Sequence, residues 1–244
     1  MMFYSIKNET DLSKDLFIYG DIVSENSPDW LTGEVSETAV DLAAFKQAVD
    51  SMSGGQTLNI YINSAGGSVF AASTMVSMLQ RAQSSGVKVT CYIDGLAASA
   101  ASLFPMAADE THIYKNSMLM IHMPMAGMMG YYNSKELGKI IDQLDAIETG
   151  VLMSLYDSKS KLSHQQMKNL VDAETWLDST AIMNTFDGFI LEDEVKDVAA
   201  CASDYFGKYL HTPKAFTKSK PQKQIPDYSE FENKLKILDE RKTK

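Results

Sequence analysis

Three short segments carry residues able to perform acyl transfer, and each adjoins an apolar run. Gly95-Leu96-Ala97-Ala98-Ser99-Ala100-Ala101-Ser102 follows the strand-like run Val87 to Ile93. Its small residues suit a tightly packed helix. A serine where strand gives way to helix sits among backbone N–H groups that no helical carbonyl satisfies. Those donors and the positive helix end stabilise negative charge, which acyl transfer places on oxygen. Ser99 is therefore a candidate nucleophile, although the segment alone reads more simply as an Ala-rich packing face. Asn63-Ser64-Ala65-Gly66-Gly67-Ser68 ends the run Leu58 to Ile62 and opens a helix at Val69. Paired glycines permit positive φ and close backbone approach, and they can present N–H groups to an oxyanion or an extended peptide. Met120-Ile121-His122-Met123-Pro124 places a histidine at the end of a third apolar strand. Imidazole titrates near neutrality and is the usual base for activating serine. Nucleophile, donors and base at three strand ends make a stronger pattern than any one of them.

With these residues in view, the chain resembles the proteolytic subunit of the Clp protease, and within that family the phage- or prophage-encoded members. The family's turn Asn-Ser-Pro-Gly-Gly, elbow Gly-x-Ala-Ala-Ser and base Met-Ile-His-x-Pro correspond to Asn63–Gly67, Gly95–Ser99 and Met120–Pro124. The resemblance extends from about Phe17 to about Asp193. It implies a serine peptidase with Ser99 as nucleophile, His122 as base, and the N–H groups of Gly67 and Ala100 as oxyanion hole. Substrate strands would pair along Gly66, Ser68 and Val69 and beside Met123 and Met125. The third triad member stays open. Aligning Trp176-Leu177 with the family's aromatic-Leu pair puts Glu174 where Asp usually stands, and Asp172 is the alternative.

The elements that must position these residues follow from periodicity. Phe17 to Val23, Leu58 to Ile62, Val87 to Ile93, Thr111 to Tyr114 and Met118 to His122 read as strands. Thr38 to Ser51, Val69 to Ser84 and Ser99 to about Ala108 read as helices. Alternation of this kind predicts an α/β fold with parallel pairing and right-handed crossovers. The resemblance adds a crotonase-like spiral of ββα units. Ser134 to Ser160 reads as one long amphipathic helix, with Leu137, Ile140, Ile141, Leu144 and Ile147 at helical spacing. Under the resemblance it is a protruding handle that meets its counterpart on an opposed ring. Ser163 caps a helix, Asp178 to Asn184 forms another, and Asp187 to Ile190 returns to a strand. The expected domains are an N-terminal segment 1–16 with a short strand at Phe3–Lys7, a peptidase body 17–200, and a tail 201–244. Within that tail, Phe231 to Arg241 is a candidate helix.

Composition narrows the function. The net charge is −10 over 244 residues. His211 to Lys244 holds nine Lys/Arg and five Asp/Glu, so the tail carries +4 and the rest −14. An acidic body argues against nucleic-acid binding. No run is long and apolar enough for a membrane span, and the N-terminus lacks signal-peptide character, so a cytoplasmic location is expected. Cys91 and Cys201 make neither a disulfide framework nor a zinc spacing, so no metal or cofactor is expected. The methionines between Met118 and Met129 suit a site tolerant of varied apolar side chains.

Two biological roles fit the resemblance. One is processing of phage capsid or portal proteins, and the other is a degradative chamber fed by an ATP-driven (AAA+) unfoldase. Either implies homo-oligomeric, commonly heptameric, rings stacked as a tetradecamer. A crotonase-type acyl-CoA enzyme, a Ser–Lys peptidase and an inactive ring scaffold are the competitors. The first needs no Ser99–His122 pair, and the second would replace His122 by lysine.

Overall fold

The computed structural model describes residues 6–7, 12–27, 36, 39–193 and 209–212. The chain divides after His211 into a larger and a smaller unit. Most of the tail, including the expected helix at Phe231–Arg241, lies outside the described residues, as do residues 1–5 and Cys201.

One mixed sheet organises the larger unit. Its strands are β1 (Ile6–Lys7), β2 (Ser13–Ile18), β5 (Thr57–Ser64), β6 (Lys88–Ala98), β7 (Glu110–Ile113) and β10 (Phe189–Leu191), adjacent in that order. All these neighbours run parallel except β1 with β2. A small parallel pair, β3 (Ile22–Val23) and β4 (Val40–Asp41), lies apart from it. Helix α1 (Leu42–Asp50) is capped by Asp41, whose carboxylate accepts from Ala44 N–H. Helix α2 (Val69–Ser84) carries the crossover from β5 to β6, as parallel neighbours require. These elements form the α/β architecture that the alternation predicted.

Burial explains the placement. Leu58, Ile60 and Ile62 of β5 and Val89, Cys91 and Ile93 of β6 are buried at every second residue, the period of one sheet face. Met75, Val76 and Leu79 of α2 cover that layer. Complete burial of such side chains contributes about 1.5–3 kcal/mol each. Another row of the sheet is aromatic. Phe17, Tyr61, Tyr92 and His112 occupy directly opposed positions on β2, β5, β6 and β7, with successive ring centroids 4.8, 4.8 and 4.7 Å apart and nearly parallel planes. Cross-strand pairs of this type add stability beyond their area.

Strand β6 is longer than its apolar run. The expected end at Ile93 gives way to a strand continuing through Gly95-Leu96-Ala97-Ala98. Leu96, Ala97 and Ala98 pair with Met118, Leu119 and Met120 of β8 (Met118–Ile121). Ala97 also stands opposite Ser64 of β5. The small side chains thus serve a strand squeezed between two others, not a helix. Helical geometry begins only at Ser99, as a 3₁₀ turn Ser99–Ser102 leading into α3 (Leu103–Ala107).

The handle segment is also interrupted. Helix α4 (Ser134–Ile147) is capped by Asn133, with Glu136 reaching back to complete a capping box. A π-helical stretch, Glu148–Met153, follows, and α5 (Ser154–Lys159) completes the run. No α4 residue is buried, and Leu137 and Ile141 are exposed. Ile147 packs against the core and Ile140 and Leu144 are half-buried, so the outward part of the stripe is Leu137 and Ile141. Helix α6 (His164–Asp172) starts at the Ser163 cap as the sequence implied. Strand β9 (Thr175–Asp178) pairs antiparallel with β8, and Asp178 then caps α7 (Ser179–Thr185).

Candidate active site

Three strand ends converge as the motifs require. Ser99 follows β6, His122 follows β8, and the glycine turn follows β5. His122 Nε2 lies 2.7 Å from Ser99 Oγ, hydrogen-bond distance for a base and its nucleophile. Ser99 has φ +53°, a left-handed conformation unusual for a residue with a side chain. This elbow tips the hydroxyl toward the imidazole.

The glycine turn is held from both sides. Ile22 N–H donates to Gly66 O, and Ser68 N–H donates to Ile22 O, each at 2.8 Å. Ser64 Oγ donates to Gly20 O and accepts from Gly66 N–H. Gly66 has φ +103°, and a Cβ there would stand 2.7 Å from Ser99 Cβ. Gly67 has φ +146°, and its Cβ would meet Ile22 O at 2.1 Å. Glycine is thus required at both positions by conformation and by space. The Gly67 N–H has no acceptor among the described residues, and the Ala100 N–H belongs to the first turn after the nucleophile. Both are available as donors to a developing oxyanion. Ser68 Oγ instead caps α2, accepting from Ala71 N–H.

Hydroxyl contacts buttress Ser99 from behind. Ser102 Oγ donates to Ser99 O at 2.6 Å and lies 2.7 Å from Tyr156 Oη. Tyr156 is fully buried in α5. At the far end of α3, Lys159 Nζ donates to Pro105 O and Ala108 O at 3.1 and 2.6 Å. This half-buried lysine satisfies helix-end carbonyls and does not contact Ser99, so it is not the base of a Ser–Lys pair. The spacing of Ser102 from Ser99, one helical turn, was a usable sequence signal. Nothing near Tyr156 in the chain announced its role.

The two acidic candidates separate clearly. Asp172 is the last residue of α6, not part of an extended segment, and its carboxylate pairs with Lys168 Nζ at 2.9 Å. Glu174 follows in a left-handed conformation, φ +48°, and is buried. The ladder of β8 and β9 pairs Met120 with Trp176 and Ile121 with Thr175. His122 directly follows β8 and Glu174 directly precedes β9, so both lie at the same end of this antiparallel ladder. Among the described residues Glu174 makes no hydrogen bond to His122. Its oxygens accept instead from Leu210 N–H at 2.7 Å and His211 N–H at 2.5 Å. Burial pushes the His122 pKa below its ordinary value, and the nearby Glu174 charge opposes that shift without reversing it.

A cavity of about 820 Å³ opens beside the serine. Gly67, Ser68, Val69 and Met125 line it together with Ser99 and His122, and handle residues Ile140 and Leu144 form another wall. Gly66 and Met123 are not among its lining residues. The methionine run divides: Met120 is core, Met118 is half-buried, and Met123, Met125, Met128 and Met129 are exposed. No three His, Cys, Asp or Glu side chains converge as a metal site among the described residues. No helix there is long and apolar enough to cross a membrane.

Residues 24–191 match the family described as Clp protease. The ATP-dependent Clp protease proteolytic subunit of Bacteroides fragilis is 37% identical over 102 residues, covering 41% of this chain and 48% of the relative. Its counterpart in Bacteroides thetaiotaomicron is 37% identical over 102 residues, covering 41% and 45%. The one from Porphyromonas gingivalis is 34% identical over 91 residues, covering 36% and 40%. The chain therefore spans about half the length, or less, of the relatives it matches.

The geometry predicts a pH signature. A serine activated by an imidazole reacts with an electrophile only when that imidazole is neutral, and burial lowers the His122 pKa. The rate of Ser99 labelling by a fluorophosphonate should rise with pH through a midpoint below the ordinary value of about 6.5. Glu174→Gln removes the charge that favours imidazolium and should move the midpoint lower still. A midpoint at or above the ordinary value in the parent chain would contradict this reading.

Proposed function

We propose that this chain, which belongs to the Clp protease family, is a serine endopeptidase using Ser99, His122 and Glu174. Ser99 Oγ attacks the scissile carbonyl while His122 Nε2 takes its proton. The tetrahedral oxyanion is held by the N–H groups of Gly67 and Ala100, each worth on the order of 3 kcal/mol of barrier. His122 then protonates the leaving amine, and water repeats the cycle to release the acyl group. Glu174 orients the imidazole and stabilises its charged form. The 2.7 Å contact between Ser99 and His122 carries the proposal. An extended substrate would lie along Gly66–Val69 by strand addition, with an apolar side chain entering the cavity lined by Met125.

Assembly into homo-oligomeric rings, heptameric and stacked as a tetradecamer, is proposed on the family resemblance. The exposed Leu137 and Ile141 of α4 support a contact between opposed rings. Processing of phage capsid or portal proteins is the favoured role. Ser68-Val69-Phe70-Ala71, the Gly95–Ser102 elbow, Glu174-Thr175-Trp176 and the basic tail support it by their likeness to phage-type members. The second reading, a degradative subunit served by an ATP-driven unfoldase, is favoured by the ATP-dependent description of the bacterial relatives. A cytoplasmic location accompanies either role.

Three outcomes check this. In hydrolysis of an apolar fluorogenic peptide, Ser99→Ala and Glu174→Ala should each lower kcat/KM by about 10²-fold or more. Asp172→Ala should stay within about twofold of the parent, since an exposed ion pair contributes little; a larger loss from Asp172→Ala than from Glu174→Ala would reassign the acid. Mass photometry should find particles of about fourteen times the 27.0 kDa chain, and a lone monomer would remove the ring proposal. Casein should be degraded without any ATPase if the role is processing. Strict dependence on an unfoldase would favour the degradative reading.

A further inference from the structure

Beyond the residues matching the family, the chain returns to the active site. The match ends at residue 191, yet Tyr209, Leu210 and His211 pack against the catalytic groups. Tyr209 is only 7% exposed, while its neighbour Leu210 is 84% exposed. The segment is therefore seated by the tyrosine and by its backbone, not by the leucine side chain. The Tyr209 ring meets His122 edge-on with centroids 5.1 Å apart, and Trp176 at 6.2 Å. Its hydroxyl donates to Ala65 O, in the turn just before Gly66. Tyr209 also borders the cavity that holds Ser99 and Gly67. Leu210 N–H and His211 N–H then occupy one oxygen each of the Glu174 carboxylate.

Resting on the peptidase reading above, we infer that Tyr209–His211 is an autoinhibitory strap that withholds Glu174 from His122 and covers the imidazole. A triad needs its carboxylate to accept from His Nδ1–H, which fixes the tautomer and stabilises imidazolium as the serine is deprotonated. Here that carboxylate accepts from two strap amides. The β8–β9 ladder already brings Glu174 and His122 to the same end, where the carboxylate's charge acts on the imidazole, so a change of rotamer after strap release completes the triad. The strap arrives at three points at once: the acid, the base and the turn beside the oxyanion donors. A segment serving only to bury apolar area would not also place two amides on the acid and a hydroxyl on the turn while its ring meets the base. Its sequence position also fits a control element. It lies between the peptidase body and the basic tail, so whatever captures or cleaves the tail pulls on the strap.

The test compares the parent chain with two full-length variants and one shortened chain. Leu210→Pro/His211→Pro removes both amide donors, because proline has no N–H, and Tyr209→Ala removes the ring and hydroxyl. A chain ending at residue 208 removes the strap outright. Each variant is assayed for the rate of Ser99 labelling by a fluorophosphonate and for its thermal midpoint. Loss of one charge-assisted hydrogen bond shifts such an equilibrium by about tenfold, so the double proline variant and the shortened chain should label at least about tenfold faster. A synthetic peptide of residues 207–212, Gly-Lys-Tyr-Leu-His-Thr, should slow labelling of the shortened chain, and the same peptide with alanine for tyrosine should not. Damage to the fold cannot accelerate labelling, which separates release from misfolding. Ser99-dependent labelling that is unchanged or slower in the variants, with the thermal midpoint retained, overturns the strap alone. Absence of Ser99-dependent labelling in every chain overturns the peptidase reading and the strap with it.

Discussion

The site depends on keeping Ser99 in a backbone conformation it does not favour. A left-handed φ on a residue with a side chain costs about 1–3 kcal/mol. Its hydrogen bond to His122 returns a net of about 0.5–1.5 kcal/mol, too little to hold the elbow unaided. The remainder comes from elements on either side. Upstream, Leu96, Ala97 and Ala98 are locked into the β8 ladder, and Ala97 also faces β5. Downstream, the Ser102 hydroxyl holds the Ser99 carbonyl and is itself met by Tyr156. Ser99 is thus a strained link between two rigid segments, and this aims its hydroxyl at His122.

The same constraint explains the composition of the surrounding turns. Gly66 must lack a side chain because Ser99 Cβ already occupies the space, and Gly67 because the Ile22 backbone does. The parallel bridge of Ile22 to Gly67 then fixes one edge of the turn, leaving the opposite edge toward the cavity. Alanine at 97 and 98 serves a similar purpose. Strand β6 there has neighbours on both sides, and both residues are completely buried.

Much of this was legible from the chain, and the misses have physical causes. Periodicity alone locates α2 at its observed bounds, and the motifs at the ends of β5, β6 and β8 single out Ser99, His122 and the glycine pair that the fold brings together. Local pattern failed where tertiary contacts override it. Gly95–Ala98 looked helical because small residues also suit helix packing, whereas pairing with β8 settles them as strand. The handle was read as one helix because apolar spacing cannot reveal a π-helical turn at Glu148–Met153. Phe17 to Val23 was read as one strand, but Gly20 and Asp21 separate β2 from β3. The Ser102–Tyr156 contact and the aromatic row from Phe17 to His112 join residues remote in sequence. Nothing local marks such partners.

Glu174 shows how one buried charge ties these pieces together. Its left-handed backbone costs about 1–3 kcal/mol, and a buried carboxylate without partners is far more costly. Two amide donors offset both, since hydrogen bonds to a charged group are worth about 1.5–3 kcal/mol each. With those donors in place, burial dominates at His122 and its pKa falls despite the adjacent carboxylate. If the donors leave, the carboxylate stays at the His122 end of the β8–β9 ladder but loses its compensation. The imidazole Nδ1–H is then the group positioned to restore it. The desolvation that makes an unpartnered Glu174 unfavourable becomes the force that drives it onto the histidine, so the stability of one arrangement and the reactivity of the other share a single physical origin.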